Sequence, residues 1–141
     1  MRFLALMYPG EQAESGALPD EQAIGQMMKF NEMLASKGAL ISLDGLHPSS
    51  KGARITFPDG KPVVTDGPFA ESKELVGGFW MIKADSREQA VEWFKQCPAM
   101  GAERIELRQV YEFEEFNIDR DSAVRQQVDR VEAALGQANR A

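Results

Sequence analysis

The chain opens on a short run in which large apolar side chains occupy both odd and even positions. In a strand over residues 2–8, Phe3 would point to one side and Leu4, Leu6 and Tyr8 to the other. A strand that is apolar on both sides must be covered on both, by helices on one side and by another layer on the other. The pattern therefore predicts an interior strand at residues 2–8.

Apolar positions at spacings of three and four predict two amphipathic helices. The first begins at Leu18-Pro19-Asp20-Glu21, where proline and acids suit the first turn, and ends at Lys37-Gly38. The second begins at Asp85 or Ser86, both good N-caps, and stops before Pro98. Because each helix follows an apolar strand, the chain contains two βα units.

The rest of the chain up to residue 113 is predicted to be strands and loops. Single strands are expected at residues 39–46, 77–84 and 105–113. Residues 53–57 and 61–65 flank a Pro58-Asp59-Gly60 turn, which predicts a β-hairpin. The polar stretch 9–16 contains two glycines and is predicted to be a loop.

A last helix is predicted from Asp119 or Asp121 to about Leu135, with Gly136 as its C-terminal stop. Its apolar stripe has spacings of four, three and four: Val124, Val128, Val131 and Leu135. We expect this stripe to pack on the core or on a second copy of the chain, because a helix of this length is marginal alone in water.

The element order is β-α-β-β-β-β-α-β followed by the last helix, which predicts an α+β fold with a ferredoxin-like sheet and both main helices on one face. The other face of the sheet would then be bare, and the simplest cover is the same sheet of a second copy across a two-fold axis. We therefore expect a homodimer. We divide the chain into a domain at 1–115 and a C-terminal helical extension at 116–141.

Composition narrows the class of protein. A chain of 141 residues with 43% hydrophobic and 27% charged residues is typical of one globular domain. The net charge of −6, with scattered lysines and arginines, argues against a nucleic-acid or membrane partner. No apolar run is long enough for a signal sequence or a membrane span, and the lone Cys97 is predicted to be a small buried hydrophobe, so we expect a cytoplasmic protein.

The segment Val64–Glu74, VTDGPFAESKE, followed by Gly77-Gly78-Phe79, resembles the signature of the DGPF group of YCII-related proteins. Phe3–Tyr8 and Gly45–Pro48 also fit, and the resemblance covers about residues 1–112. It implies a dimeric α/β barrel made of two sheets packed face to face, in a superfamily of small-molecule isomerases, monooxygenases and dehalogenating lyases. Members of the group are often encoded near alternative sigma factors, which implies regulation. The histidine that YCII proteins carry on the first helix is absent from residues 20–37.

Asp66 and His47 are the candidate acid and base. His47 is the only histidine, and imidazole suits proton transfer near neutral pH. Asp66 has a structural alternative, in which its carboxylate accepts N–H groups of the following turn while Gly67 supplies a positive φ and Pro68 fixes the exit.

Three classes of function remain open, and the sequence leaves open whether the protein is an enzyme. The first is a small-molecule-binding or regulatory module with a cleft near the DGPF motif, lined by Glu71, Lys73, Tyr8 and Trp80. The second is a cofactor-free isomerase or lyase that uses Asp66 and His47, and the third is a protein-interaction module associated with transcription regulation. No metal or other cofactor is expected, because one histidine with scattered carboxylates lacks the spacing of metal ligands.

Overall fold

The computed structural model describes residues 1–138, so residues 139–141 of the predicted extension lie outside the described residues. Within residues 1–138 the strands are Arg2–Tyr8 (β1), Leu40–Gly45 (β2), Ala53–Thr56 (β3), Val63–Asp66 (β4), Gly78–Lys83 (β5) and Arg104–Gln109 (β6). The α-helices of the same part are Glu11–Glu14 (α1), Glu21–Ser36 (α2), Arg87–Phe94 (α3) and Ala123–Ala138 (α4). The predicted strands, the hairpin and the two main helices are confirmed.

Four strands form one antiparallel sheet in the order β2-β5-β1-β6, and β3 pairs only with β4 in a separate hairpin. Phe3 of β1 lies between Ile82 of β5 and Gln109 of β6. The first strand is therefore central, as its two-sided apolar pattern predicted. The order β1-α2-β2-β5-α3-β6, with the hairpin inserted after β2, is the predicted ferredoxin-like α+β arrangement.

The core lies between the sheet and its two main helices, and three aromatic rings dominate it. Phe30 of α2, Trp80 of β5 and Phe94 of α3 are all buried. Their ring centroids are 5.3 to 6.0 Å apart in edge-on geometries, which aromatic pairs prefer over face-to-face stacking. One ring from each of three elements thus holds both helices on the same face of the sheet.

Local chemistry explains where the helices begin. The Asp20 carboxylate accepts the N–H of Ala23 at 2.8 Å, and the Ser86 hydroxyl accepts the N–H of Gln89 at 3.1 Å. α4 begins later than predicted, because the Ser122 hydroxyl accepts the N–H of Arg125.

Two predictions about individual segments were wrong. Residues 9–16 are not all loop, because α1 forms within them. Gly136 does not end the last helix, which continues to Ala138. A Cβ at this position would meet nothing within 4 Å, and the helical hydrogen bonds outweigh the roughly 1 kcal/mol that glycine costs inside a helix.

The chain divides into two compact units, Met1–Val110 and Tyr111–Ala141. In the second unit the Arg125 guanidinium lies 4.7 Å from the centre of the Phe113 ring and forms an ion pair with Asp129 at 2.9 Å. The functional boundary that we place at residue 115 stays a prediction.

Candidate functional site

The sheet face opposite the helices carries an apolar surface that we call the outer face. At its centre Leu4 of β1 pairs with Met81 of β5, and Leu6 pairs with Phe79. These four side chains are only half-buried in the single chain. Trp80, between Phe79 and Met81, is buried on the helix side, so the two neighbouring aromatic residues lie on opposite faces of the sheet.

Charged side chains border the outer face along both edge strands. On β6, Glu106 pairs with Leu6 and Arg108 pairs with Leu4, and an ion pair of 3.3 Å joins the two charged groups. On β2, Asp44 pairs with Phe79. The outer face is therefore an apolar strip two strands wide between polar margins, which is typical of a surface that another layer covers.

One corner of the outer face holds a preformed cation, Arg104. Its guanidinium lies 4.0 Å from the centre of the Tyr8 ring, its partner across the two strands. Its Nη1 donates to the main-chain carbonyl of Lys73 at 3.2 Å, and the Glu103 carboxylate is 3.8 Å away. Arginine has five N–H donors, so a guanidinium held in this way keeps donors for an anion.

Lys73 and Glu71 belong to the segment that follows the DGPF motif, and both are exposed. Lys73 reaches the corner through its carbonyl oxygen, which accepts from Arg104. The Tyr8 ring and the Lys73 carbonyl thus both contact Arg104, and their role in binding a ligand stays a prediction. Sequence reasoning missed Arg104, although its alternation with Glu106 and Arg108 on the last strand marks one exposed face.

Trp80 lies away from this corner. Its indole N–H donates to Oδ1 of Asn31 at 2.8 Å in the core, and only 5% of the residue is exposed. Tyr8 and Trp80 point to opposite faces of the sheet, because Trp80 pairs with Ala5. The structure therefore separates Trp80 from the other residues predicted to bind a ligand.

The DGPF motif forms the base of the β3–β4 hairpin. Asp66 pairs with Ala53 at the end of β4, and the N–H of Gly67 donates to the carbonyl of Gly52 at 3.0 Å. A Cβ on Gly67 would lie 1.7 Å from the carbonyl oxygen of Ser49. The expected positive φ at Gly67 is wrong, because this glycine is required by space and its φ is not in the positive range.

Hydrogen bonds of Ser49 connect the DGPF motif to α1. Its hydroxyl accepts the N–H of Phe69 at 3.0 Å and donates to the Glu14 carboxylate at 2.5 Å, and its own N–H donates to the same carboxylate at 3.0 Å. The N–H groups of the turn after Asp66 therefore donate to Gly52 and Ser49, and the Asp66 carboxylate does not cap them in the structure. Asp66 itself is exposed.

His47 is exposed and lines a notch beside Gly10, Glu14 and Ser72. The notch has about 10 Å³ of space, enough for roughly one water molecule. Within residues 1–138 no hydrogen bond orients the imidazole or joins it to Asp66. His47 and Asp66 both flank the Ser49 turn, but the structure does not bring them into contact.

Two further findings concern the reactivity of the Cys97 thiol and the arrangement of side chains that could hold a metal ion. Burial raises the pKa of the Cys97 thiol from its ordinary 9.0 to about 11, so the group is a neutral thiol at physiological pH. In the described part of the chain, no group of three His, Cys, Asp or Glu side chains is arranged to hold a metal ion. None of the helices in residues 1–138 has the length and apolar character needed to cross a membrane.

The chain is similar to known proteins by family model, by sequence and by fold. The family model of the YCII-related domain matches residues 1–114. An uncharacterised protein of Rhizobium meliloti (strain 1021) is 26% identical over 117 residues, which cover 79% of this chain and 94% of the relative. A solved structure, the 5-chloro-2-hydroxyhydroquinone dehydrochlorinase of Burkholderia phenoliruptrix AC1100 in complex with 2,5-dihydroxybenzoquinone, is 12% identical, with a TM-score of 0.46 over 83% of this chain and 100% of that chain.

Proposed function

The chain belongs to the YCII-related family, and we propose that it is a small-molecule-binding module that takes a small planar anion at the Tyr8–Arg104 corner. The observation that carries the proposal is the Arg104 guanidinium, held 4.0 Å from the centre of the Tyr8 ring and hydrogen-bonded to the Lys73 carbonyl. Arg104 pairs with Tyr8 at the end of the apolar strip that contains Leu6 and Phe79.

The geometry favours a planar anion, such as an aromatic carboxylate, for two reasons. A guanidinium presents paired N–H donors in one plane and matches the two oxygens of a carboxylate. The neighbouring strip gives an aromatic ring an apolar surface on which to lie, so the apolar body and the charge of the ligand have separate partners. Because Tyr8 and the Lys73 carbonyl already hold Arg104, little side-chain entropy is lost when the anion binds.

We further propose that the protein works as a cytoplasmic homodimer in which a second copy covers the outer face. Leu4, Leu6, Phe79 and Met81 form one continuous surface on the two central strands. Packing this surface against the same surface of a second copy would remove it from water and would enclose the corner beside Arg104. The net charge of −6 supports a partner other than nucleic acid or an anionic membrane.

The alternative of an isomerase or lyase that uses Asp66 and His47 has less support. A general base needs a position within hydrogen-bond reach of its substrate and, in most sites, a neighbour that orients it. Both residues are exposed, and the structure gives neither side chain such a neighbour within residues 1–138. The binding function needs only groups that are already arranged.

Titration calorimetry with benzoate, and with uncharged benzamide as the matched ligand, tests the binding site. We expect saturable binding of benzoate only, and a loss of at least tenfold in affinity for Arg104→Gln. Arg108→Gln is the control, because it removes the same charge from the same strand and the same face four residues further on. It should change the affinity by less than twofold. Equal effects of the two substitutions, or equal binding of the two ligands, would contradict the proposal.

A further inference from the structure

A carboxylate lies beside the cation of the Tyr8–Arg104 corner. Oε2 of Glu103 is 3.8 Å from Nη1 of Arg104, a distance that makes an ion pair but is too long for a hydrogen bond. The Glu103 side chain is 39% exposed, and within residues 1–138 its carboxylate accepts no hydrogen bond. The corner therefore holds a charged acceptor with free lone pairs next to its charged donor.

Main-chain contacts fix the place of this carboxylate. The N–H of Glu103 donates to the carbonyl of Tyr8 at 2.9 Å, so the residue directly before β6 is tied to the last residue of β1. Its side chain runs past Gly10, where a Cβ would lie 3.7 Å from Cγ of Glu103. Gly10 has a φ of +81°, a conformation that favours glycine. The main chain thus places Glu103 next to the cation before any ligand binds.

An anion bound to Arg104 has to lie near this carboxylate. The guanidinium uses one of its five N–H donors on the Lys73 carbonyl, and the other donors belong to the same small planar group. Like charges at such short range repel each other, and the repulsion grows as water is excluded from the site. A ligand that carries an anion alone, such as benzoate, is therefore attracted by Arg104 and repelled by Glu103.

A hydroxyl group next to the anion of the ligand would replace this repulsion with a contact. The hydroxyl would donate to the Glu103 carboxylate, and a hydrogen bond to a charged acceptor is stronger than one between neutral groups. It would also satisfy lone pairs of Glu103 that the ligand shields from water. Glu103 thus opposes a simple anion and favours a hydroxylated one.

The position of this hydroxyl follows from the closeness of the two charged groups. Because Oε2 of Glu103 and Nη1 of Arg104 are 3.8 Å apart, the donor of the ligand has to lie close to its anion. On a benzoate ring an ortho hydroxyl donates to its own carboxylate, and a para hydroxyl points away from that carboxylate. The meta hydroxyl is the nearest one that stays free to donate to Glu103.

We infer that Glu103 determines the specificity of the corner, and that the ligand class is a planar aromatic carboxylate with a hydroxyl group meta to the carboxylate. This inference rests on the anion site proposed above and narrows its ligand. It assigns the guanidinium of Arg104 to the carboxylate of the ligand, and the carboxylate of Glu103 to the hydroxyl.

Titration calorimetry of the full chain with two isomers tests the inference. 3-Hydroxybenzoate and 4-hydroxybenzoate have the same mass and the same charge at neutral pH, and they differ in the position of the hydroxyl. We expect the parent protein to bind 3-hydroxybenzoate at least fivefold more tightly than 4-hydroxybenzoate. Equal affinities for the two isomers would overturn the inference, and this comparison needs no variant.

Glu103→Met removes the charge and the acceptor at a similar side-chain size. We expect it to bring the affinity ratio of the two isomers below twofold and to raise the affinity for benzoate at least twofold, because the like charge is gone. Glu88→Met is the control, because Glu88 also forms an ion pair with a neighbouring arginine, Arg87, at 3.2 Å, but lies on α3 on the helix side of the sheet. The control should keep the ratio of the parent, and a ratio that Glu103→Met leaves unchanged would overturn the inference.

The anion site and the role of Glu103 fail in different ways. If the parent binds neither benzoate nor its hydroxylated forms, the anion site is wrong and the inference falls with it. If benzoate binds, Arg104→Gln weakens it and the isomer ratio is close to one, the anion site stands and the role of Glu103 falls. Circular dichroism shows whether each variant is folded, and Glu103→Gln, which keeps a polar side chain of the same size, replaces Glu103→Met if the latter is unfolded.

Discussion

Trp80 and Asn31 form a buried hydrogen bond of 2.8 Å that joins the central sheet to α2 across 49 residues of sequence. Asn31 is a buried polar residue of the core, and only 5% of it is exposed. Trp80 is buried, so the amide oxygen of Asn31 satisfies an indole N–H donor that would otherwise destabilise the core.

Removing this acceptor should be costly. We expect Asn31→Leu to lower the free energy of unfolding by about 1–3 kcal/mol, because the Trp80 N–H is then buried without a partner. In an Asn31→Leu/Trp80→Phe double variant no donor is left unsatisfied, so the cost of Asn31→Leu should shrink markedly in the Trp80→Phe background. Urea denaturation of the four proteins of this cycle measures the coupling, and additive costs would show that the bond is unimportant.

Gly67 and Gly52 offer a matched pair at the base of the β3–β4 hairpin. A Cβ on Gly67 would lie 1.7 Å from the Ser49 carbonyl oxygen, whereas a Cβ on Gly52 would lie an ordinary 3.5 Å from the same atom. We expect Gly67→Ala to destabilise the protein by about 2 kcal/mol or more, because backbone has to move, and Gly52→Ala to change stability by less than about 0.5 kcal/mol. Thermal melts of both variants check this, and similar melting temperatures would contradict the close approach.

Asp66 should tolerate substitution. The N–H groups of the turn, which the Asp66 carboxylate was expected to bind, donate instead to Gly52 and Ser49. Asp66→Ala and Asp66→Asn should therefore each change the free energy of unfolding by less than about 0.5 kcal/mol. Benzoate affinity should also stay within twofold of the parent. A loss of 2 kcal/mol in Asp66→Ala, with Asp66→Asn close to the parent, would show that the carboxylate caps the turn after all.

Cys97 should make stability fall at alkaline pH. Burial raises the pKa of this thiol to about 11 in the folded chain, above its ordinary value of 9.0, so the unfolded chain releases the proton first. The contribution of this thiol to the free energy of unfolding is therefore fully present below pH 9 and is lost as the pH rises through 11. The difference in stability between the parent and Cys97→Ala, from urea titrations at pH 8 and pH 10.5, should shift in favour of Cys97→Ala at the higher pH. A difference that is constant with pH would contradict the burial of the thiol.

The last helix should contribute to stability or assembly. Val124, Val131 and Leu135 of its apolar stripe are 47%, 59% and 60% exposed, and an unpacked helix of this length is marginal in water. Truncation after Asn117 should lower the melting temperature or weaken the dimer. A truncated protein that melts and sediments like the parent would show that the helix is an independent appendage.

The sequence predicted the elements well because the signals for them are local. Apolar periodicity and the caps at Asp20 and Ser86 act within a few residues, and the structure shows both caps in place. The proximity of Tyr8 and Arg104 is not local, because it depends on the register of β1 with β6, almost a hundred residues later. The sequence does not predict the hydrogen bonds between Glu14 and Ser49 for the same reason, because these residues are 35 positions apart.

The sequence correctly indicates that Gly67 has to be a glycine, but the reason inferred from the sequence was wrong. In the pattern Asp-Gly-Pro, local turn chemistry favours a glycine with positive φ. The structure instead places another segment, the Ser49 turn, against its Cα. Sequence reasoning can identify such a glycine, but a single sequence does not say whether conformation or space requires it.

The central position of β1 has a consequence for how the protein is made. Phe3 leaves the ribosome early, yet its partners Ile82 and Gln109 are synthesised about 80 and more than 100 residues later. The apolar first strand must therefore wait, unpaired, until β5 has been translated, and its pairing is complete only when β6 follows. Contacts so distant in sequence slow folding, so the nascent chain exposes this strand to chaperones and to neighbouring chains for most of its synthesis.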